Sequence, residues 1–137
     1  MANEAVIISL TGQPKGRPIS FTVADSHAVE KGALMGLFDP MTCSGTLLAD
    51  KGVAFAGIAA TEKVASDGQV KLGLWTEGIF DLVADADGIT VGHTAALSGT
   101  NQVFTAVAGS LLDGKVVGRA LETGSASEAI AVAVGIY

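Results

Sequence analysis

The sequence predicts an all-β fold: a compact small β-barrel or β-sandwich of short strands, with a two-fold internal repeat and an extended N-terminal arm. Three observations predict it. The 18 glycines of the 137-residue chain are spread along it, and the runs between them are rich in Val, Ile, Leu, Ala and Thr. Regular punctuation of this kind marks short strands and tight turns rather than helices. Several runs alternate apolar with polar or small residues, the period of a strand with one wet face. Turn dipeptides separate the runs, and Asp-Gly among them supplies the positive φ angles that tight turns require.

Residues 1–18 stand apart as the arm. Pro14 and Pro18 bracket Lys15-Gly16-Arg17, and proline cannot donate to a central ladder, so the segment is extended or lies at an edge. The apolar run Val6-Ile7-Ile8-Ser9-Leu10 before it is either the first strand of the domain or a strand that adds to another molecule's sheet edge.

Residues 19–137 are expected to form a single β domain. Strands are expected over 19–24, 33–38, 53–60, 69–76, 78–83, 103–106, 115–122 and 128–136. Their separators are Asp39-Pro40, Asp50-Lys51-Gly52, Ser66-Asp67-Gly68, Asp85-Ala86-Asp87-Gly88 and Asp113-Gly114. Alternation is clearest in Gln69-Val70-Lys71-Leu72-Gly73-Leu74. The Ala-rich stretch 125–134 has helical propensity. Yet Ile130, Val132 and Val134 alternate there with Ala129, Ala131 and Ala133, which fits a strand.

An internal repeat runs through these elements. Gly57-Ile58-Ala59 and Gly118-Arg119-Ala120 each follow a short apolar strand and precede a polar turn and another strand. Val70–Leu74 after the first copy is set against Ile130–Val134 after the second. Upstream, Lys31-Gly32-Ala33-Leu34 is set against Val91-Gly92-His93-Thr94. The offset is about 60 residues, so each copy is expected to be a β-meander contributing half of a barrel or sandwich.

Composition narrows the function. Eight basic and 14 acidic residues give a net charge of −6, and the basic ones are scattered, with only Lys15 and Arg17 close together. Such a surface repels phosphate backbones, so no nucleic-acid partner is expected. Charged residues are only 16% of the chain and hydrophobic ones 49%, so part of the surface is either small and polar or covered by a partner. A single cysteine excludes an intrachain disulfide. The opening MANEAVIISL lacks a basic n-region, and no run reaches the ~20 apolar residues of a membrane helix. Synthesis in a cytoplasm and no membrane partner are the expectation.

Chemistry is sparse. Phosphate-binding glycine loops and a nucleophile elbow are absent. His27 and His93 are too isolated for a zinc set, and no cofactor is expected. Aligning Gly88 with the glycine of a calcium loop puts Val83 and Thr94 where acidic ligands belong, so Asp85-Ala86-Asp87-Gly88 reads as a hairpin turn. Asp81, Asp85 and Asp87 are the densest acidic group, and they read as solvated turn carboxylates. A hydrolase would need Asp81 or Asp85 in a pocket with a raised pKa. Cys43 lacks an evident base and reads as a buried or idle thiol. The chain is therefore expected not to be an enzyme.

Taken in order, several segments resemble a known family. They are Val53-Ala54-Phe55-Ala56-Gly57-Ile58-Ala59-Ala60, Gln69–Leu74, Thr76-Glu77-Gly78-Ile79-Phe80-Asp81-Leu82 and Ile89-Thr90-Val91-Gly92. Lys115-Val116-Val117-Gly118-Arg119-Ala120-Leu121-Glu122 and the terminal apolar strand follow. The order is similar to that of capsid decoration (cement, head-stabilising) proteins of tailed bacteriophages, over roughly residues 30–137. Residues 37–51 and the arm follow no pattern of that family. The resemblance implies a structural virion protein on the outer surface of the mature capsid. Such a protein clamps neighbouring major capsid protein subunits, as a homo-oligomer and preferentially a trimer. Capsid contact is then expected from the arm, through Val6, Ile7, Ile8, Leu10, Pro14, Lys15, Arg17 and Pro18. The alternative is a β-rich virion or surface module that recognises a glycan or a host surface, for which Trp75 would be the stacking residue.

Overall fold

Which side chains turn inward is decided strand by strand by the two-residue period. Along Gly78–Ala84 every second residue is buried, and in Ala129–Val134 the β-branched Ile130, Val132 and Val134 are buried while the alanines between them are not. The computed structural model describes residues 4–9, 18–45, 53–99 and 101–135. Along them run β1 (Val6–Ser9), β2 (Ile19–Val23), β3 (Leu34–Phe38), β4 (Thr42–Gly45), β5 (Ala54–Ala59) and β6 (Lys71–Trp75). Then come β7 (Gly78–Ala84), β8 (Thr94–Leu97), β9 (Gln102–Thr105), the short helix α1 (Ala108–Leu112), β10 (Val116–Ala120) and β11 (Ala129–Val134).

These strands close two small barrels. The first runs β2-β4-β3-β5-β6, and the second runs β7-β9-β8-β10-β11. In each, a parallel pair shuts the ring, with Thr22 opposite Thr42 in one and Val83 opposite Gln102 in the other. Closure satisfies backbone groups that an open sheet would leave at its edges.

The second barrel repeats the first in detail. The pair Leu34↔Ile58 recurs as Thr94↔Arg119, and the β-bulge between β3 and β5 recurs between β8 and β10. The isolated bridge Val29↔Lys63 recurs as Ile89↔Gly124. Two left-handed non-glycine residues of the first barrel, Met41 (φ 46) and Ser66 (φ 58), recur as Asn101 (φ 53) and Ser127 (φ 60). The interiors also match by position. Phe21, Val23, Val29, Met35, Cys43, Ala56, Ala59, Leu72 and Leu74 fill the first. Leu82, Ala84, Ile89, Ala95, Val103, Val117, Ala120, Ile130 and Val132 fill the second. Where Met35 gives way to Ala95, Ala56 gives way to the larger Val117, the volume compensation that a closed interior demands.

The repeat expected from Gly57-Ile58-Ala59 and Gly118-Arg119-Ala120 is thus present, with two corrections. Each copy closes a whole barrel rather than half of one. Leu72, not Val70, is the counterpart of Ile130, because Phe21 faces Leu72 as Leu82 faces Ile130. The expected strands form with ends shifted by one or two residues, but β4, β8 and α1 carry no sequence signal. Thr42-Cys43-Ser44-Gly45 and Thr94-Ala95-Ala96-Leu97 are short and built mostly of small residues, and partners distant in sequence hold them extended. The turn Asp50-Lys51-Gly52 lies outside the described residues.

The two barrels share one core. Leu34, Phe55 and Ile58 of the first pack into the apolar cluster of the second, with Trp75 and Ala5 against it. Leu34 N–H donates to Asn101 Oδ1 at 2.9 Å, and Phe55 N–H to the Gly114 carbonyl at 2.9 Å. The N-terminal strand reinforces this junction. Val6 and Ile7 of β1 pair with Asp81 and Phe80 of β7, while Ala5 N–H donates to the Gly32 carbonyl of the first barrel at 2.6 Å.

The first barrel also holds a buried cation. The Lys63 side chain is fully enclosed, and its Nζ donates to the Asp25 carbonyl (2.7 Å), the Val64 carbonyl (3.1 Å) and Asp67 Oδ1 (3.0 Å). Lys63→Met preserves the packed stem but removes those donors, and urea unfolding should show a loss of about 2 kcal/mol. The Gln69 backbone N–H, and then Lys63, hold the Asp67 carboxyl below the usual aspartate range. A lowered folded value stabilises at pH above the ordinary ~4 and is lost as pH falls through the folded value. The acid limb of the stability curve should therefore be shallower in Lys63→Met.

Candidate interaction surface

Among the described residues no group of three or more His, Cys, Asp or Glu is gathered to hold a metal. His27 and His93 are exposed. Asp85 departs from the expected solvated carboxylate, because it is buried. Its Oδ2 accepts from Ser98 Oγ at 2.7 Å and its Oδ1 from Asp87 N–H at 2.9 Å, so protein donors replace water and fix the turn that ends at Gly88. Cys43 is buried, and burial pushes its thiol up to about 11. A disulfide reagent such as Ellman's should leave it unmodified in the native protein and titrate it fully after denaturation. Trp75 is only partly exposed and packs against the second barrel's core, with Nε1 buried.

What the surface offers instead is apolar area. Of the residues expected to carry contact, Val6 and Ile7 lie on β1 and are 58% and 38% exposed. Ile8 shares that strand. Pro18 is exposed on the first barrel, against Gly73, where a side chain's Cβ would come within 2.9 Å of it. The set is therefore divided between the barrels, with β1 on the second. Leu10, Pro14, Lys15 and Arg17 lie outside the described residues. Beside β1, a groove of about 420 Å³ is lined by Val6, Ile7, Lys31, Ile58 and Trp75 among others.

Sequence reasoning missed a second apolar face. Ile19, Leu37, Phe38 and Met41 are 44%, 39%, 43% and 54% exposed. Phe21, Leu37, Phe38, Asp39 and Met41 line a shallow cavity of about 500 Å³ on the β3–β4 turn. The available signal was Leu37-Phe38 set directly against Asp39-Pro40, two large apolar residues at the brink of a turn where side chains cannot both face inward. Exposed apolar residues grouped in this way mark interaction sites.

Among the described residues the surface carries two apolar faces, one on each barrel, of the kind that marks interaction sites. No curated protein matches the chain. Residues 13–136, nearly its whole length, match the model of a family described as phage cement protein. The chain belongs to the phage cement protein family, and its role is that of a structural protein of the phage capsid.

Proposed function

We propose that the protein binds the outer surface of the mature capsid and stabilises the shell by clamping neighbouring major capsid protein subunits, as a homotrimer. The observation that carries this reading is the family match over residues 13–136. Binding the expanded shell more tightly than its precursor stabilises the expanded form by linkage. A symmetric oligomer makes its second and third contacts effectively intramolecular, so weak individual contacts hold firmly.

The arm is the proposed contact, through Val6, Ile7, Ile8, Leu10, Pro14, Lys15, Arg17 and Pro18. Its cationic pair Lys15 and Arg17 stands out on a chain of net charge −6. Because residues 4–9 are bonded to both barrels, point changes test the arm more cleanly than deletion. Lys15→Glu with Arg17→Glu should weaken binding to expanded shells by about tenfold or more, with the thermal unfolding midpoint unchanged. Undiminished binding in a pelleting assay would remove the arm from the contact.

A further inference from the structure

We propose that the exposed apolar face of the first barrel docks the second barrel of another copy of this chain, repeating between molecules the contact that joins the barrels within one. The inference rests on the proposed self-association and names its interface.

The intramolecular contact uses different positions of the repeat on its two sides. The first barrel contributes Leu34, Phe55 and Ile58. The second contributes the side carrying Asn101, whose Oδ1 accepts from Leu34 N–H. On that side Phe80 and Leu97 are 0% exposed, Ser98 3% and Asn101 1%. A contact between unlike positions is heterologous, so each barrel retains one unused half of it.

The unused halves are identifiable by register. Leu37 faces Cys43 as Leu97 faces Val103, and Ile19 faces Leu74 as Phe80 faces Val132. The first barrel's equivalents of the covered residues are therefore Ile19, Leu37, Phe38 and Met41, the exposed apolar face. The second barrel's equivalents of Leu34, Phe55 and Ile58 are Thr94, Val116 and Arg119, half-buried or exposed. Apolar residues uncovered at the very positions that are sealed in the sister barrel call for the same kind of cover.

The substitutions between copies fit a contact that forms between molecules. Ile58 becomes Arg119, and Gly99 corresponds to Asp39 beside Phe38 and Met41. Both charged residues are exposed, and among the described residues neither has a salt-bridge partner. In the intramolecular junction Ile58 faces Leu34, which bonds Asn101. The same geometry between copies brings Arg119 of one molecule toward the Asp39–Met41 turn of the next. Opposite charges at the rim of an apolar contact set its register and speed its formation. Repeated around a ring, the contact yields a closed oligomer in which every barrel has the same two neighbours.

Sedimentation velocity over a concentration series tests this, with shell binding read separately. Wild type should sediment well above its 13.7 kDa monomer mass. Asp39→Arg and Arg119→Glu should each shift it toward monomer, and the double reversal should restore the oligomer. Both sites are exposed, so each variant should keep the wild-type far-UV circular dichroism, and its unfolding midpoint should match that of wild type diluted to monomer, which excludes misfolding as the cause. A monomeric wild type at every concentration, or an oligomer indifferent to both reversals, would overturn the interface. An intact charge-dependent oligomer that ignores shells would instead count against the capsid reading.

Discussion

Replacing Gly118 by alanine is expected to cost about 3 kcal/mol or more, at or above the upper end of the overpacking range. A Cβ at Gly118 would fall onto the Ala133 carbonyl oxygen and lie 2.8 Å from the Ala133 carbonyl carbon and 2.9 Å from Val134 Cα. These are backbone atoms of the paired strand β11, so no rotamer change relieves the clash, and the bulged β10 must move. Gly57 is its counterpart in the first barrel. Its Cβ would lie 2.8 Å from the Trp75 carbonyl oxygen and 2.9 Å from Leu74 Cβ, so Gly57→Ala should be damaging for the same reason. Gly109→Ala is the control: nothing lies within 4 Å of its Cβ, and it sits in α1, where alanine should gain about 0.5–1 kcal/mol. Denaturant unfolding of the three variants checks the set. A Gly118→Ala protein within 0.5 kcal/mol of wild type would contradict the close strand approach at the bulge.

The second large effect is expected at the junction. Phe55 and Ile58 are 3% and 1% exposed, and they turn away from the first barrel's interior into the second's cluster. Truncating either to alanine should cost about 3–4 kcal/mol. The kind of change matters as much as its size. The shared core makes the barrels unfold together, so Ile58→Ala or Phe55→Ala should broaden one calorimetric transition or split it in two. Trp75, the only tryptophan, packs at this junction and reports on it. Its fluorescence should change in the first transition of the variants and across the single transition of wild type. A sharp single transition in both variants, with near-wild-type midpoints, would show that the junction carries little of the stability.

Much of this architecture was legible because its cause is local. Ile130, Val132 and Val134 against Ala129, Ala131 and Ala133 declare a strand with one inward face, and that face is the one buried. Gly57 and Gly118 announced the repeat because a close strand approach at the bulge excludes any Cβ at both positions. What was hidden depends on distant partners. Nothing in Thr42–Gly45 says strand until Val23 and Leu37 flank Cys43. Asp85 gave no sign of burial, since its partner Ser98 is distant in sequence. The face of Ile19, Leu37, Phe38 and Met41 was legible only in part, through Leu37-Phe38 at the brink of a turn, for a related reason. A leucine that is exposed in one copy and sealed in the other, as Leu37 and Leu97 are, reads identically in one dimension.

The central claim is that the protein cements the expanded shell, and the most direct measurement is co-sedimentation of the purified wild-type chain with expanded and immature capsids of its phage. Saturable binding to expanded shells at a fixed ratio to the major capsid protein, with much weaker binding to immature ones, is the predicted result. Absence of binding to either shell would contradict the account.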